Sequence, residues 1–151
     1  MDAPRNTLQP DRRPDTPTLM EVAVVEFPGS LRAAAPVLSE LAQRCNRTVA
    51  AGRRTGGRML VTRWTMSARG MQRVAGAELF GDALPAIIVV PGSESSWTMA
   101  PPDERLLAWL RECHDGCSLL AGCDEGGLLL AAAGVLAGRS VSVPDPTRCP
   151  A

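Results

Sequence analysis

A chain of 151 residues with 45% hydrophobic content is long enough for one domain with a real core. Its 16 basic and 16 acidic residues cancel, which argues against direct nucleic-acid binding and against attraction to an anionic membrane. No apolar run approaches the ~20 residues that span a bilayer, and no basic-then-apolar leader opens the chain, so a cytoplasmic location is expected.

Residues 1–18 hold four prolines, several charges and no periodicity, and are expected to be a disordered tail. Met20 to Phe27 is an almost continuous apolar run of strand length, the pattern of a strand buried on both faces of a parallel sheet. Pro28-Gly29-Ser30 breaks it. A helical pattern follows from about Ala34, with Val37, Leu38, Leu41, Ala42 and Cys45 at 3-to-4 spacing as its apolar face. Gly52 to Gly57 is a basic turn, its Arg53-Arg54 read, like Arg12-Arg13, as solvated surface. Arg58 to Trp64 is the next strand, and Thr65 to Asp82 reads equally as a hairpin or a loose helix. Ala86 to Val90 is the clearest buried strand, ended by Pro91-Gly92. Pro101-Pro102-Asp103-Glu104 opens a helix with an apolar face of Leu106, Leu107 and Leu110, and Gly116 closes it. Cys117 to Gly122 is a further strand. It leads into a helix from Gly126 to Gly138, then a short strand at Ser140-Val141-Ser142-Val143, and residues 144–151 form a tail.

Strands alternating with helices at this spacing predict an α/β fold, a flavodoxin-like doubly wound and mainly parallel sheet with helices on both faces, spanning residues 19–143. The functional crevice of such a sheet lies beyond the carboxyl ends of its strands. The loops Phe27–Arg32, Pro91–Ser96 and Cys123–Gly127 are therefore expected to converge.

Five cysteines, without a secretory leader, read as free thiols. Cys113-His114-Asp115-Gly116-Cys117 lacks metal-knuckle spacing and holds the chain's single His, so no metal is expected there, and no cofactor elsewhere. Trp64, Trp97 and Trp109 stand too far apart in sequence to predict a stacking platform, and Trp109, among leucines, reads as core.

The loops also carry a resemblance. Phe27-Pro28-Gly29, Val89-Val90-Pro91-Gly92 and Gly122-Cys123-Asp124-Glu125-Gly126, with Ala132-Ala133-Gly134-Val135-Leu136-Ala137-Gly138-Arg139, resemble the ThiJ/PfpI superfamily of class I glutamine amidotransferase-like domains. The likeness is nearest to the sensory domains of AraC-type regulators, and it covers about residues 20–143. Enzymatic members place a Cys at a sharp strand-to-helix elbow. Counted back from the Ala-Gly-x-Leu-x-Gly-Arg ending, the elbow falls on Asp124. Cys123, one residue earlier, is then expected as a buried core thiol, and becomes a nucleophile only with a one-residue insertion.

Other departures follow from the same comparison. Arg32 stands where hydratase-type members and many sensors place an Asp, and a fixed cation cannot serve as a base. The family's His beyond the last strand has no counterpart, and no DNA-binding segment is expected. Asp124 and Glu125 at a helix start would oppose a thiolate. Asp124 is read either as a helix cap or as half of a charge exchange with Arg32 across the crevice. Gly92, Ser93 and Glu94 complete the candidate ligand-binding set with Arg32, Asp124 and Glu125. The leading expectation is a non-catalytic domain that binds a small polar metabolite and self-associates as a homodimer. The alternatives are a Cys123-dependent hydrolase or hydratase and a truncated interaction module.

Overall fold

The structure, a computed structural model, describes residues 18–52, 57–94 and 101–140. The expected tail over residues 1–17, the Arg53-Arg54 turn, Trp97, and the strand and tail beyond residue 140 lie outside the described residues.

Among the described residues nine elements follow in order: β1 (Leu19–Glu26), α1 (Ala34–Ala50), β2 (Arg58–Ser67), β3 (Gly70–Arg73), α2 (Ala77–Phe80), β4 (Ile87–Val90), α3 (Glu104–Asp115), β5 (Leu119–Gly122) and α4 (Gly126–Ala132). The sheet order is β3-β2-β1-β4-β5. β2, β1, β4 and β5 run parallel, while β3 folds back antiparallel on β2. This is a mainly parallel α/β sheet of the flavodoxin-like type. The ambiguous stretch from Thr65 to Asp82 resolves into the end of β2, the hairpin strand β3 and the short α2.

Central position explains the composition of β1. Val22, Ala23, Val24 and Val25 are all buried because helices cover both faces of the sheet there. On one face Ala23 and Val25 join Trp64, Ile88 and Val90 beneath α3 and α4, which contribute Leu106, Leu107, Leu110, Cys113, Leu129 and Leu130. Trp64 and Trp109 meet in this core with ring centroids 5.0 Å apart, although 45 positions separate them. Their separation in sequence gave no sign of this contact, which arises because Trp64 of β2 points to the side of the sheet that α3 covers.

The apolar face predicted for α1 is also corrected. Ala42 is buried, but Val37 and Leu41 are 57% and 52% exposed, and Cys45 is exposed. The helix is rotated by what it sets against the sheet, namely the small Ala35 and Ala42. Asn46 then fixes the rotation: its side chain accepts from the Met59 backbone N–H and donates to the Met59 carbonyl, both at 2.8 Å.

α3 begins as read from the sequence. The Asp103 carboxylate caps it by accepting from the Arg105 N–H at 2.9 Å. Its far end holds a surprise. Gly116 keeps a negative φ, and Cys117 takes the left-handed conformation at φ 68°. The Ser118 N–H closes the helix on the Cys113 carbonyl at 2.9 Å. A Cβ on Gly116 would sit 2.7 Å from Leu84 Cδ1, the end of a side chain that can turn aside. Cys117→Gly is therefore expected to raise stability by about 0.5–1 kcal/mol, read as a higher melting temperature, by relieving a left-handed non-glycine residue.

α4 ends earlier than the expected Gly138. Gly134 turns left-handed at φ 79°, and the Val135 N–H reaches back to the Leu130 carbonyl at 3.3 Å. That backward bond is a Schellman closure, and it buries Val135.

The polar feature of the core lies at the amino-terminal part of β1. Glu21 and Arg73 are 3% and 4% exposed at their side chains and form a two-pronged ion pair, Nε–Oε1 at 2.7 Å and Nη2–Oε2 at 2.8 Å. Thr62 and the Trp64 indole N–H also donate to Glu21 Oε1. Arg73 in turn donates to the Gly81 and Ala83 carbonyls and lies 4.7 Å from the Trp64 ring centroid. One network thus fastens β3 and the segment after α2 to the central strand.

Candidate functional site

The predicted loops, the second of them described only as far as Glu94, do converge at the carboxyl ends of β1, β4 and β5. The loop after β1 and the loop after β4 are laced together: Leu31 N–H donates to the Gly92 carbonyl (2.9 Å), and Glu94 N–H donates to the Gly29 carbonyl (2.8 Å). Ser30 and Ser93 form an isolated antiparallel bridge. Ser93 Oγ donates to the Gly29 carbonyl at 3.0 Å, and Glu94 Oε1 accepts from the Arg32 backbone N–H at 3.2 Å. The turn after β5 joins through Glu125, whose Oε2 accepts from the Ser93 N–H at 3.1 Å.

That last turn is compressed. A Cβ on Gly126 would fall 2.0 Å from the Val90 carbonyl oxygen, and one on Gly122 would fall 2.7 Å from Gly127 N. Gly92 lies directly against the turn, where a Cβ would come within 3.0 Å of Glu125 Oε2 and 3.2 Å of Asp124 Cβ. At its tip Asp124 is left-handed at φ 48° and exposed. Asp tolerates that backbone region better than most side chains, which fits this residue at this place. No side chain caps α4, so the helix-cap reading of Asp124 is corrected: Glu125 stands next to the first turn, with its carboxylate committed to Ser93.

Two further expectations change. Cys123 is exposed rather than buried in the core. It follows directly on β5, the outermost strand of the sheet among the described residues, so its outer side lacks the cover that an inner strand's end receives. Arg32 and Asp124 do not form a salt bridge. The acid that reaches the Arg32 loop is Glu94, and the acid that reaches across from the β5 turn is Glu125.

Beside this junction an open cleft of about 1270 Å³ runs over the carboxyl ends of β1 and β2. Arg32 and Glu94 line it with Phe27, Met66, Met71 and Leu106, whereas Gly92, Ser93, Asp124 and Glu125 do not. Arg63 and Glu26, also on its wall, hold each other by two hydrogen bonds of 2.5 and 2.9 Å. The candidate set therefore splits into two cleft residues and a hydrogen-bonded junction behind them. Met66 and Met71 were not singled out from the sequence because the hairpin carrying them could not be told from a helix. Alternation of apolar residues after Trp64 is the one local signal that points to it.

Among the described residues no three His, Cys, Asp or Glu side chains gather as a metal site, and no helix is long and apolar enough to cross a membrane. Cys113 lies fully buried, and desolvation pushes its thiol up to about 12.

No family model matches the chain, and no curated protein matches it. Among solved structures it is similar to a protein of Vibrio parahaemolyticus described as a candidate transcriptional regulator. That likeness has a TM-score of 0.51 and 19% identity, over 79% of this chain and 63% of that one. It is also matched by Drosophila melanogaster DJ-1beta, with a TM-score of 0.42 and 18% identity, over 78% of this chain and 61% of that one. The chain thus spans less than two thirds of the length of either structure. At 19% identity the first of these likenesses is one of fold alone, and it agrees with the flavodoxin-like α/β class already read from the strand order.

Proposed function

We propose that this chain is a ThiJ/PfpI-like regulatory domain that binds a small polar ligand without transforming it, as the sensory halves of AraC-type regulators do. The supporting observation is the occupant of the strained turn after β5. A left-handed Asp124 stands at its tip, and Glu125 beside it is spent on the backbone of the neighbouring loop. The tip of that turn thus carries a carboxylate where enzymatic members of the resembled family carry a thiol. The fold shared with a candidate transcriptional regulator agrees with this reading. The ligand site is assigned to the cleft, with Arg32 and Glu94 as its polar contacts and Phe27, Met66 and Met71 as its apolar wall.

The rival reading, a hydrolase or hydratase using Cys123, draws support from the exposure of that thiol beside the tip. Alkylation of the native protein near neutral pH separates the two. Under the regulatory reading Cys45, Cys117 and Cys123, all exposed, react at comparable rates while buried Cys113 lags. Selective, much faster labelling of Cys123 would sink it. A thermal-shift screen against polar metabolites supplies the positive arm: a compound that raises the melting temperature should lose its effect in Arg32→Ala and keep it in Cys123→Ser.

A further inference from the structure

Most of the charge that lines the cleft is already engaged. Glu26 and Arg63 neutralise each other through two hydrogen bonds. The Asp103 carboxylate is held by the Arg105 side chain at 3.2 and 2.8 Å and by its backbone N–H at 2.9 Å. Two charged side chains of the lining are left over, and their signs are opposite. Among the described residues the Arg32 guanidinium makes no ion pair and no hydrogen bond. Glu94 likewise meets no cation among them, and what it accepts comes from the neutral backbone N–H of Arg32. That bond keeps the two charges near each other. Glu94 Oε1 lies 3.2 Å from the Arg32 backbone nitrogen, so the guanidinium stands about one arginine side chain away, yet the pair does not close. One small molecule can therefore meet both. Beside them stand Phe27, Met66 and Met71, all half-buried and packed on the core. Met66 and Met71 are direct partners across the β2–β3 hairpin. Paired thioethers make a polarisable wall that adapts to aromatic or branched bodies.

We propose that the ligand of this cleft is an α-amino acid with a large apolar side chain. Its carboxylate meets Arg32, its ammonium meets Glu94, and its side chain lies against Phe27, Met66 and Met71. The proposal rests on the reading of the cleft as the ligand site. A zwitterion is the class that leaves neither charge over. A plain carboxylic acid would satisfy Arg32 but bring a second anion beside Glu94, and a plain amine would bring a second cation beside Arg32. The ammonium must carry N–H groups, because a carboxylate oxygen only accepts and a quaternary nitrogen has nothing to donate. Size and exposure set the strength. The open cleft of about 1270 Å³ exceeds the roughly 300–1,000 Å³ of pockets that enclose a whole ligand. Arg32 and Glu94 are both exposed, so each ionic contact is partly screened by water. The dissociation constant should accordingly be on the order of 0.1–1 mM.

Calorimetric titration of the whole chain tests this with five probes. L-phenylalanine and L-methionine should bind. Phenylpropionate (no amine), phenethylamine (no carboxylate) and the trimethylated ammonium form of phenylalanine should each bind about tenfold more weakly or worse. Arg32→Ala should bind L-phenylalanine no better than phenethylamine, and Arg32→Lys should restore part of the difference. Glu94→Gln can still accept from the Arg32 N–H and hold the loop, yet it should bind L-phenylalanine no better than phenylpropionate. Phenylpropionate binding as tightly as L-phenylalanine to the wild type overturns the proposal, because Glu94 then selects nothing. Amino acids that bind both variants as they bind the wild type overturn it as well, by placing their site elsewhere. So does the absence of amino-acid binding at millimolar concentration. In that last case a different metabolite whose stabilising effect is lost in Arg32→Ala would reject the ligand class and keep the cleft as a ligand site. If no compound shows an effect that depends on Arg32, both readings fall.

Discussion

Arg73→Met is expected to cost about 3–5 kcal/mol of folding stability, because it strands the Glu21 carboxylate in the core. In the native protein that carboxylate accepts from Thr62, Trp64 and twice from Arg73, with almost no access to water. Burial pushes its proton affinity up, but the hydrogen bonds from Arg73, Thr62 and Trp64 together with the Arg73 charge outweigh that, and the group ends below its ordinary value of 4.5. The pH dependence follows from the sign. A lowered carboxyl contributes stability above its unfolded value and loses it as pH falls through the folded one. Wild-type urea midpoints should therefore hold steady at neutral pH and fall once the pH drops below about 4.5. In Arg73→Met only burial and two neutral donors remain, the carboxyl is pushed up, and mild acid should stabilise the variant as the group takes a proton. Opposite slopes of midpoint against pH in the two proteins are the test; parallel slopes would show that Arg73 does not hold Glu21 charged. Glu21→Leu with Arg73→Met should recover part of the loss. It cannot recover all of it, since Thr62 and the Trp64 indole then lack their acceptor.

What could be read in the sequence was what depends on neighbours along the chain. β1 and β4 announced themselves as continuous apolar runs, and α3 by Pro101-Pro102-Asp103-Glu104 ahead of paired leucines. The sheet followed from their alternation, and the convergence of the loops followed from the sheet. Glu21 gave no such sign. It stands in the β1 run, and its partner lies 52 positions away on a hairpin whose very type was undecided. The same distance in sequence hid the contact between Trp64 and Trp109. The inward face of α1 was misjudged because a helix against a sheet buried its small residues and left its larger ones outside, the reverse of what apolar spacing alone implies. At the junction, counting back from Gly138-Arg139 picked out Asp124, which proves to be the left-handed residue of the turn. The exposure of Cys123 and the substitution of Glu125 and Glu94 for the expected Arg32–Asp124 pair depend on how three separate loops are spaced, and no local pattern records that.

The compressed turn after β5 supplies the sharpest contrast between adjacent residues. Gly126 and Gly127 are neighbours at the start of α4, neither has a positive φ, and a sequence reading gives them the same role. Their surroundings differ completely. A Cβ on Gly126 would lie 2.0 Å from the Val90 carbonyl oxygen and 2.7 Å from that of Pro91, both backbone atoms at the end of β4. Neither can move without pulling β4 from β1 or opening the Cys123 N–H bond to Val90, which is 2.9 Å long. Gly126→Ala should therefore cost on the order of 3 kcal/mol or more and give insoluble or poorly folded protein. Gly127→Ala meets nothing within 4 Å and replaces glycine in a helix, so it should stabilise by up to about 1 kcal/mol. Equal effects of the two substitutions on the denaturation midpoint would mean that α4 does not press on the end of β4. The asymmetry also bears on function. If the helix start is wedged against the β4 carbonyls, the tip at Asp124 cannot relax independently of the Gly92–Glu94 loop. Gly126→Ala should then disturb ligand binding in the cleft through that loop, although no atom of Gly126 lines it.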